Sequence, residues 1–210
     1  MDTIFPITTD ALLLAAFAAQ FCKARKLRVL ELGCGGGIVA VELAAACPNV
    51  SVVGVEINED AANSARELVA AQGLSERITI LNADLRTLGN TLGVFDVVVA
   101  NPPYFERGRG RRSNSNTIAA AKSEESATLA DFCSAAAKSV RNGGAFISVM
   151  RASRLSDLFR ELARAGFEPK RMQLVARDAN SAPTLALTDA RRGGGAGLDV
   201  LPMIFTQKEQ

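Results

Sequence analysis

From residue 27 to residue 165, short apolar runs rich in β-branched residues alternate with alanine-rich segments of helical spacing, and few folds accept that alternation. The runs 27–32, 50–55, 77–81, 94–100 and 144–150 read as strands, and 37–46, 59–72, 128–140 and 154–165 read as helices. Strands that take turns with helices build a parallel sheet covered by helices on both faces. Asn142-Gly143-Gly144 and Ala165-Gly166 read as helix stops. Beyond residue 170 the pattern changes: 172–176 and 182–187 read as antiparallel strands, with Gly193-Gly194-Gly195 as a loose turn. The expected fold is therefore α/β, a doubly wound, mostly parallel sheet with an antiparallel C-terminal strand pair, in a single domain over 1–210.

Composition narrows the partners. The chain of 210 residues is 48% hydrophobic, enough for one full core. A net charge of +2 gives no global basic field, so any nucleic-acid binding has to come from a local patch. Cys22, Cys34, Cys47 and Cys133 form no CxxC pair and histidine is absent, which removes the usual zinc patterns and every histidine-based triad. No metal is expected, and the cysteine usage suits a reduced, cytoplasmic setting. The apolar run 11–19 is too short to span a bilayer, and Asp2 and Asp10 precede it without a positive charge, unlike a signal peptide. Thr9 or Asp10 reads instead as the N-cap of a buried helix.

Two motifs carry chemistry. Glu31-Leu32-Gly33-Cys34-Gly35-Gly36-Gly37 follows the first strand, where a glycine-rich turn and a helix N-terminus face the carboxyl edge of the sheet. Gly35-x-Gly37-x-x-Ala40 also fits a dinucleotide fingerprint, so NAD is an alternative ligand. Glu56, ending the second strand, can accept the hydroxyls of a ribose in either case. Glu31 would put a negative charge beside a pyrophosphate, whereas it suits the cationic sulfonium and amino groups of S-adenosyl-L-methionine. Asp84, after the third strand, can accept from an adenine amino group or cap a short helix.

Asn101-Pro102-Pro103-Tyr104 follows the apolar run Val97-Val98-Val99-Ala100. The lone pair of an exocyclic amine is delocalised into its ring, and accepting both N–H bonds frees it. Asn101 offers a side-chain carbonyl and Pro102 a backbone carbonyl, the latter fixed by proline geometry. Tyr104 offers a ring face for a base, worth roughly 1–3 kcal/mol in stacking sites. Positioning and electrostatics then carry the acceleration, without a general base. Taken alone, Asn-Pro-Pro also terminates strands. The polar stretch 105–126 that follows carries Arg107, Arg109, Arg111 and Arg112, unusually long for a connection with no role.

With both motifs in place, the chain resembles the class I S-adenosylmethionine-dependent methyltransferases, and within them the N-P-P-Y group acting on adenine N6, glutamine amides or guanine N2. More narrowly, it resembles the bacterial tRNA adenine-N6 methyltransferases that modify the adenine beside the anticodon of a valine tRNA. Thr8-Thr9-Asp10-Ala11-Leu12-Leu13-Leu14-Ala15-Ala16-Phe17, the turn at 31–37, Asn101-Pro102-Pro103-Tyr104-Phe105 and Lys170-Arg171 carry that likeness. It implies a Rossmann-like methyltransferase sheet with S-adenosyl-L-methionine as cofactor. Residues 1–26 would cover that cofactor, and Thr9, Glu31, Gly33, Cys34, Gly35, Glu56, Ile57, Asp84, Leu85 and Asn101 would line its pocket. Asn101, Pro102, Pro103 and Tyr104 would be catalytic. Tyr104, Phe105, Arg107, Arg109, Arg111 and Arg112 would meet the RNA from a basic loop over 105–126. The implied partner is tRNA, with no membrane and a monomer or homodimer. Such proteins usually carry a basic hairpin-like segment before the first helix, whereas the sequence here begins almost at that helix. A protein glutamine N5-methyltransferase, a small-molecule N-methyltransferase and a non-catalytic cofactor-binding module are the alternatives.

Overall fold

The computed structural model describes residues 8–22, 26–88, 92–103 and 127–207. Tyr104, Phe105, Arg107, Arg109, Arg111 and Arg112 lie outside the described residues, as does the basic stretch 105–126.

One eight-stranded sheet organises the chain. Its strands are β1 (Leu27–Leu32), β2 (Val50–Glu56), β3 (Ile78–Asn82), β4 (Phe95–Ala100), β5 (Val140–Arg151), β6 (Phe167–Ala176), β7 (Leu185–Arg192) and β8 (Asp199–Phe205), in the order β3-β2-β1-β4-β5-β7-β6-β8. The first five are parallel, and β7 enters antiparallel between β5 and β6. On one face lie α1 (Thr9–Cys22), α2 (Ile38–Ala46) and α3 (Glu59–Ala71); on the other lie α4 (Leu129–Ser139) and α5 (Leu155–Arg164). The doubly wound reading holds, including the antiparallel pair at the C-terminal end.

The apolar runs explain the layers. Val29 and Val97 turn to the face of α1 and α2, while Leu30, Leu32 and Val98 turn to that of α4 and α5. A strand covered on both sides has no polar face to show, which is why these runs do not alternate. A 14-residue helix such as α1 is marginal on its own. It is held by burial: Leu14 and Phe17 are at most 1% exposed, and each contributes about 1.5–3 kcal/mol. Its cap is Thr8, whose Oγ1 accepts the Ala11 N–H at 3.3 Å, and not Thr9 or Asp10, which already lie within the helix.

Other boundaries also moved. Helix α4 stops at Ser139 with Val140 already extended, so Asn142-Gly143-Gly144 is no helix stop. Those residues fall inside β5, which begins earlier to pair Val140 with Phe95 across a register shift. Strand β7 runs later than 182–187, because β5 offers pairing partners up to Arg191. Strand β8 escaped sequence reading because Pro202 interrupts its apolar run. An edge strand tolerates that proline, since one row of its backbone groups has no ladder to join.

Lys170-Arg171 proves to be structural. Lys170 donates to the carbonyls of Gly195 and Ala196, and Arg171 lies 3.7 Å over the ring of Phe21. Arg171 and Arg191 flank Asp189, whose side chain is 1% exposed. Burial still raises the Asp189 carboxyl above its ordinary range, so two guanidiniums at 3.4 Å only partly offset its loss of water.

Candidate active site

The order of the strands reverses between β1 and β4, and a crevice opens there at the carboxyl edge. Register sets what meets in it. Leu32 pairs with Val55 on one side and Ala100 on the other, so the next residues, Gly33, Glu56 and Asn101, stand level on adjacent strands. Adjacent strands are about 4.8 Å apart. A cleft of about 290 Å³ results, lined by Gly33, Glu56, Ile57, Asp84, Leu85, Asn101 and Pro103, with Val55, Ala83, Ala127 and Phe132 completing its wall.

The glycine turn is tied down on both sides. The N–H groups of Gly33 and Cys34 donate to the Val55 carbonyl at 2.8 and 3.0 Å. Gly33 has φ +68°, and a Cβ there would meet the Phe132 ring at 3.3 Å, so the turn lies flat beneath that ring. Gly37, the N-cap of α2 with φ +82°, passes so close to α3 that a Cβ would come within 2.9 Å of Ala65 Cβ. The glycines thus let α2 start directly under the cleft and seat it against α3.

Three carboxylates surround this turn in different states. Glu56 sits in the cleft and accepts the N–H groups of Gly35 and Asn58, both at 2.9 Å. One hydrogen bond per oxygen leaves acceptor capacity on each for a ribose hydroxyl. Asp84 caps the turn Leu85–Thr87 by accepting the Arg86 N–H at 2.8 Å, and it also binds the Arg86 guanidinium. Its carboxyl is held below the usual range chiefly by that side-chain hydrogen bond. The capping role is therefore real, and it leaves Asp84 oriented along the cleft wall. Glu31 is 4% exposed and accepts the Ala40 N–H in the first turn of α2, but its Oε2 is buried without a partner. Burial first, and the charge of Glu56 second, push its carboxyl up to about 8.

The remaining expected residues divide. Ile57 and Leu85 line the cleft. Cys34 does not; its side chain is buried against Gly54, where a Cβ would meet Sγ at 3.0 Å, and burial pushes its thiol well above the ordinary range. Gly35 contributes its N–H to Glu56 rather than a wall. Pro102 is buried behind Asn101, while Pro103 reaches the cleft. Thr9 is exposed on the first turn of α1 and outside the cleft wall. The C-terminal end of α1 packs Phe21 against Arg171 and Arg191, near the amino edge of the sheet, so its N-terminal end points to the carboxyl edge. Phe132 was missed. At 3% exposed it reads in sequence as a core residue of α4, and nothing in its spacing reveals that its ring faces Gly33. Among the described residues, no group of three or more histidine, cysteine or acidic side chains is placed to hold a metal, and no helix is long and apolar enough to cross a membrane.

A doubly wound sheet with a glycine turn, a strand-end acid and an Asn-Pro-Pro edge around one cleft is the arrangement of the class I methyltransferases, which use S-adenosyl-L-methionine. The chain belongs to the methyltransferase small domain family, whose model matches residues 8–165. It is 32% identical over 195 residues to the tRNA1(Val) (adenine(37)-N6)-methyltransferase of Yersinia enterocolitica, covering 90% of this chain and 74% of that protein. It is 37% identical over 114 residues to the Aeromonas hydrophila protein of the same name, covering 54% of this chain and 46% of that one. The latter match thus spans less than half of its relative. A predicted O-methyltransferase of Agrobacterium tumefaciens shares the fold, with a TM-score of 0.75 at 21% identity over 94% of this chain and 87% of the other.

Proposed function

We propose that this chain transfers a methyl group from S-adenosyl-L-methionine to the N6 amino group of an adenine in tRNA. One observation carries the reading: Asn101 and Pro103 share a single cleft with Gly33, Glu56 and Asp84, so an acceptor amine and a nucleoside-bearing cofactor can meet there. The names of the relatives at 32% and 37% identity supply the substrate class.

The residues present fit the cofactor. Glu31 Oε2 is buried without a partner just before the glycine turn, and a cation bound beside it would let that carboxyl ionise despite its burial. Glu56 has acceptor capacity for a ribose, and Asp84, held ionised by Arg86 on the cleft wall, would accept from an adenine amino group. S-adenosyl-L-methionine supplies a methyl group on a positively charged sulfur. Asn101, through its side-chain carbonyl, and Pro102, through its backbone carbonyl, accept the two N–H bonds of the target and turn its lone pair toward the cleft. Tyr104, outside the described residues, is assigned to stacking with the base. Phe132 closes the cleft over Gly33 and keeps water from the reacting atoms. We take residues 1–210 as one such domain acting in the cytoplasm.

The test is transfer of labelled methyl from S-adenosyl-L-methionine to unmodified total tRNA, with total protein as a parallel acceptor, followed by digestion. N6-methyladenosine is expected in the RNA. Label only in protein, as methylglutamine, would overturn the reading in favour of an amide acceptor.

A further inference from the structure

The glycine turn gathers two carboxyls that are treated very differently. Glu56 meets a backbone N–H with each oxygen, Gly35 on Oε2 and Asn58 on Oε1, and it lines the cleft. Glu31 has one donor only. Side chains alternate along a strand, so Glu31 shares the face of Val29, toward α2. It pairs with Gly54 on β2 and Val99 on β4, neither of which has a polar side chain to offer. Ala40, in the first turn of α2, gives its N–H to the carboxyl, and among the described residues Oε2 has no hydrogen-bond partner.

The charges around Glu31 are of the wrong sign to ionise it. Glu56 faces it from β2, and the buried thiol of Cys34 couples to it from the turn. The first turn of α2 has no acidic residue, and α1, packed against α2, carries Asp10 in its own first turn. Arg66 of α3 acts on Cys34, but it is held by the Ile80 carbonyl and by Asn63. The groups that act on Glu31 include no cation. A carboxylate 4% exposed, with one donor and a like charge beside it, is far less stable than the neutral acid, and its titration is pushed up to about 8.

We propose that Glu31 carries a proton in the cofactor-free protein and releases it to water when the cofactor enters, so that loading exchanges a proton for a cationic centre. The O–H bond breaks, its electron pair stays on the carboxylate, and the cofactor's positive charge replaces the proton. No covalent bond to the cofactor forms and nothing is oxidised or reduced, so the exchange reverses when the cofactor leaves. The proposal rests on S-adenosyl-L-methionine as the cofactor and is independent of the acceptor. It makes Glu31 a filter for charge: a neutral nucleoside brings nothing to replace the proton.

Calorimetry of the wild-type protein at pH 6.5, in two buffers of different ionisation enthalpy, counts the protons released. About one proton per bound S-adenosyl-L-methionine is expected, and none with adenosine. S-adenosylhomocysteine keeps the ammonium group and lacks the sulfonium. Release with both cofactor forms assigns the replacing charge to the ammonium, and release with S-adenosyl-L-methionine alone assigns it to the sulfonium. Affinity for S-adenosyl-L-methionine should fall roughly tenfold from pH 7 to pH 6, one proton's worth, whereas Glu31→Gln should bind without release and with a flat pH response. Infrared difference spectra of wild type give a reading that needs no variant: the carbonyl band of a protonated carboxyl should vanish on adding the cofactor. Binding without proton release, release that persists in Glu31→Gln, or equal release with adenosine would overturn the proposal. If wild type binds no S-adenosyl-L-methionine at all, the cofactor reading itself fails.

Discussion

Replacing Glu31 by Gln should remove a pH dependence of stability built into the cofactor-free protein. The carboxyl is buried, takes one N–H from Ala40, and titrates near 8 rather than 4.5. A raised folded-state pKa stabilises the fold fully below the unfolded value, and that contribution is lost as pH climbs through the folded one. Between pH 4.5 and 8, wild type should therefore lose stability relative to the variant. At 1.36 kcal/mol per unit, the relative loss is about 1 kcal/mol at pH 5, about 3 kcal/mol at pH 7 and about 5 kcal/mol above pH 9. For a chain of this size, 3 kcal/mol corresponds to roughly 6–12 °C in Tm. Gln brings a constant offset, because its amide NH₂ takes the place of the unpartnered Oε2. The change of the difference with pH, not its absolute size, is the quantity to read. Thermal unfolding of both proteins without cofactor, in steps from pH 5 to 9, makes the measurement. Parallel curves would refute the argument that Glu31 is desolvated. With cofactor present the relation should invert: wild type gains a cation beside its carboxylate and the variant does not, so S-adenosyl-L-methionine should raise the Tm of wild type more.

Asn101→Ala should keep cofactor affinity, measured by calorimetry, while methyl transfer to tRNA falls by roughly 100-fold, the scale of losing one key polar group in a site. Equal turnover would remove Asn101 from the acceptor side. Gly37→Ala forces a side chain into a left-handed backbone and against Ala65, so urea unfolding should show a loss of about 2–4 kcal/mol. A variant as stable as wild type would mean that α2 and α3 can move apart without cost.

Much of this protein was legible in its residues because the relevant physics is local or periodic. Unbroken β-branched runs between alanine-rich segments leave few arrangements other than a parallel sheet with two helical faces. Glycines after β1 and a proline pair after β4 mark the two strand ends where backbone geometry is special. Glu56 and Asp84 reach the cleft because residues at or just past the end of a parallel strand lie at the carboxyl edge, whereas Glu31, still inside β1, is buried outside the cleft wall. What the sequence left open depends on distance in space. Asp84 was readable as a cap or as a cleft residue, and it is both: it accepts the Arg86 N–H and lines the cleft. Cys34 sits in the motif, yet tertiary packing turns it under Gly54 and out of the cleft. Phe132 has the spacing of any core residue, and only the approach of α4 to the β1 turn brings its ring against Gly33 and into the cleft wall. Lys170-Arg171 read as part of a family likeness, whereas burial of Asp189 and the ring of Phe21 draw Arg171 into the fold. Charge behaves in the same way: 24 basic and 22 acidic residues nearly balance in the composition, and only the fold decides which of them pair, as Arg171 and Arg191 do with Asp189. Sequence periodicity specifies which face of an element is buried, but the partners it finds there, and the desolvation they impose, exist only once the strands have taken their order.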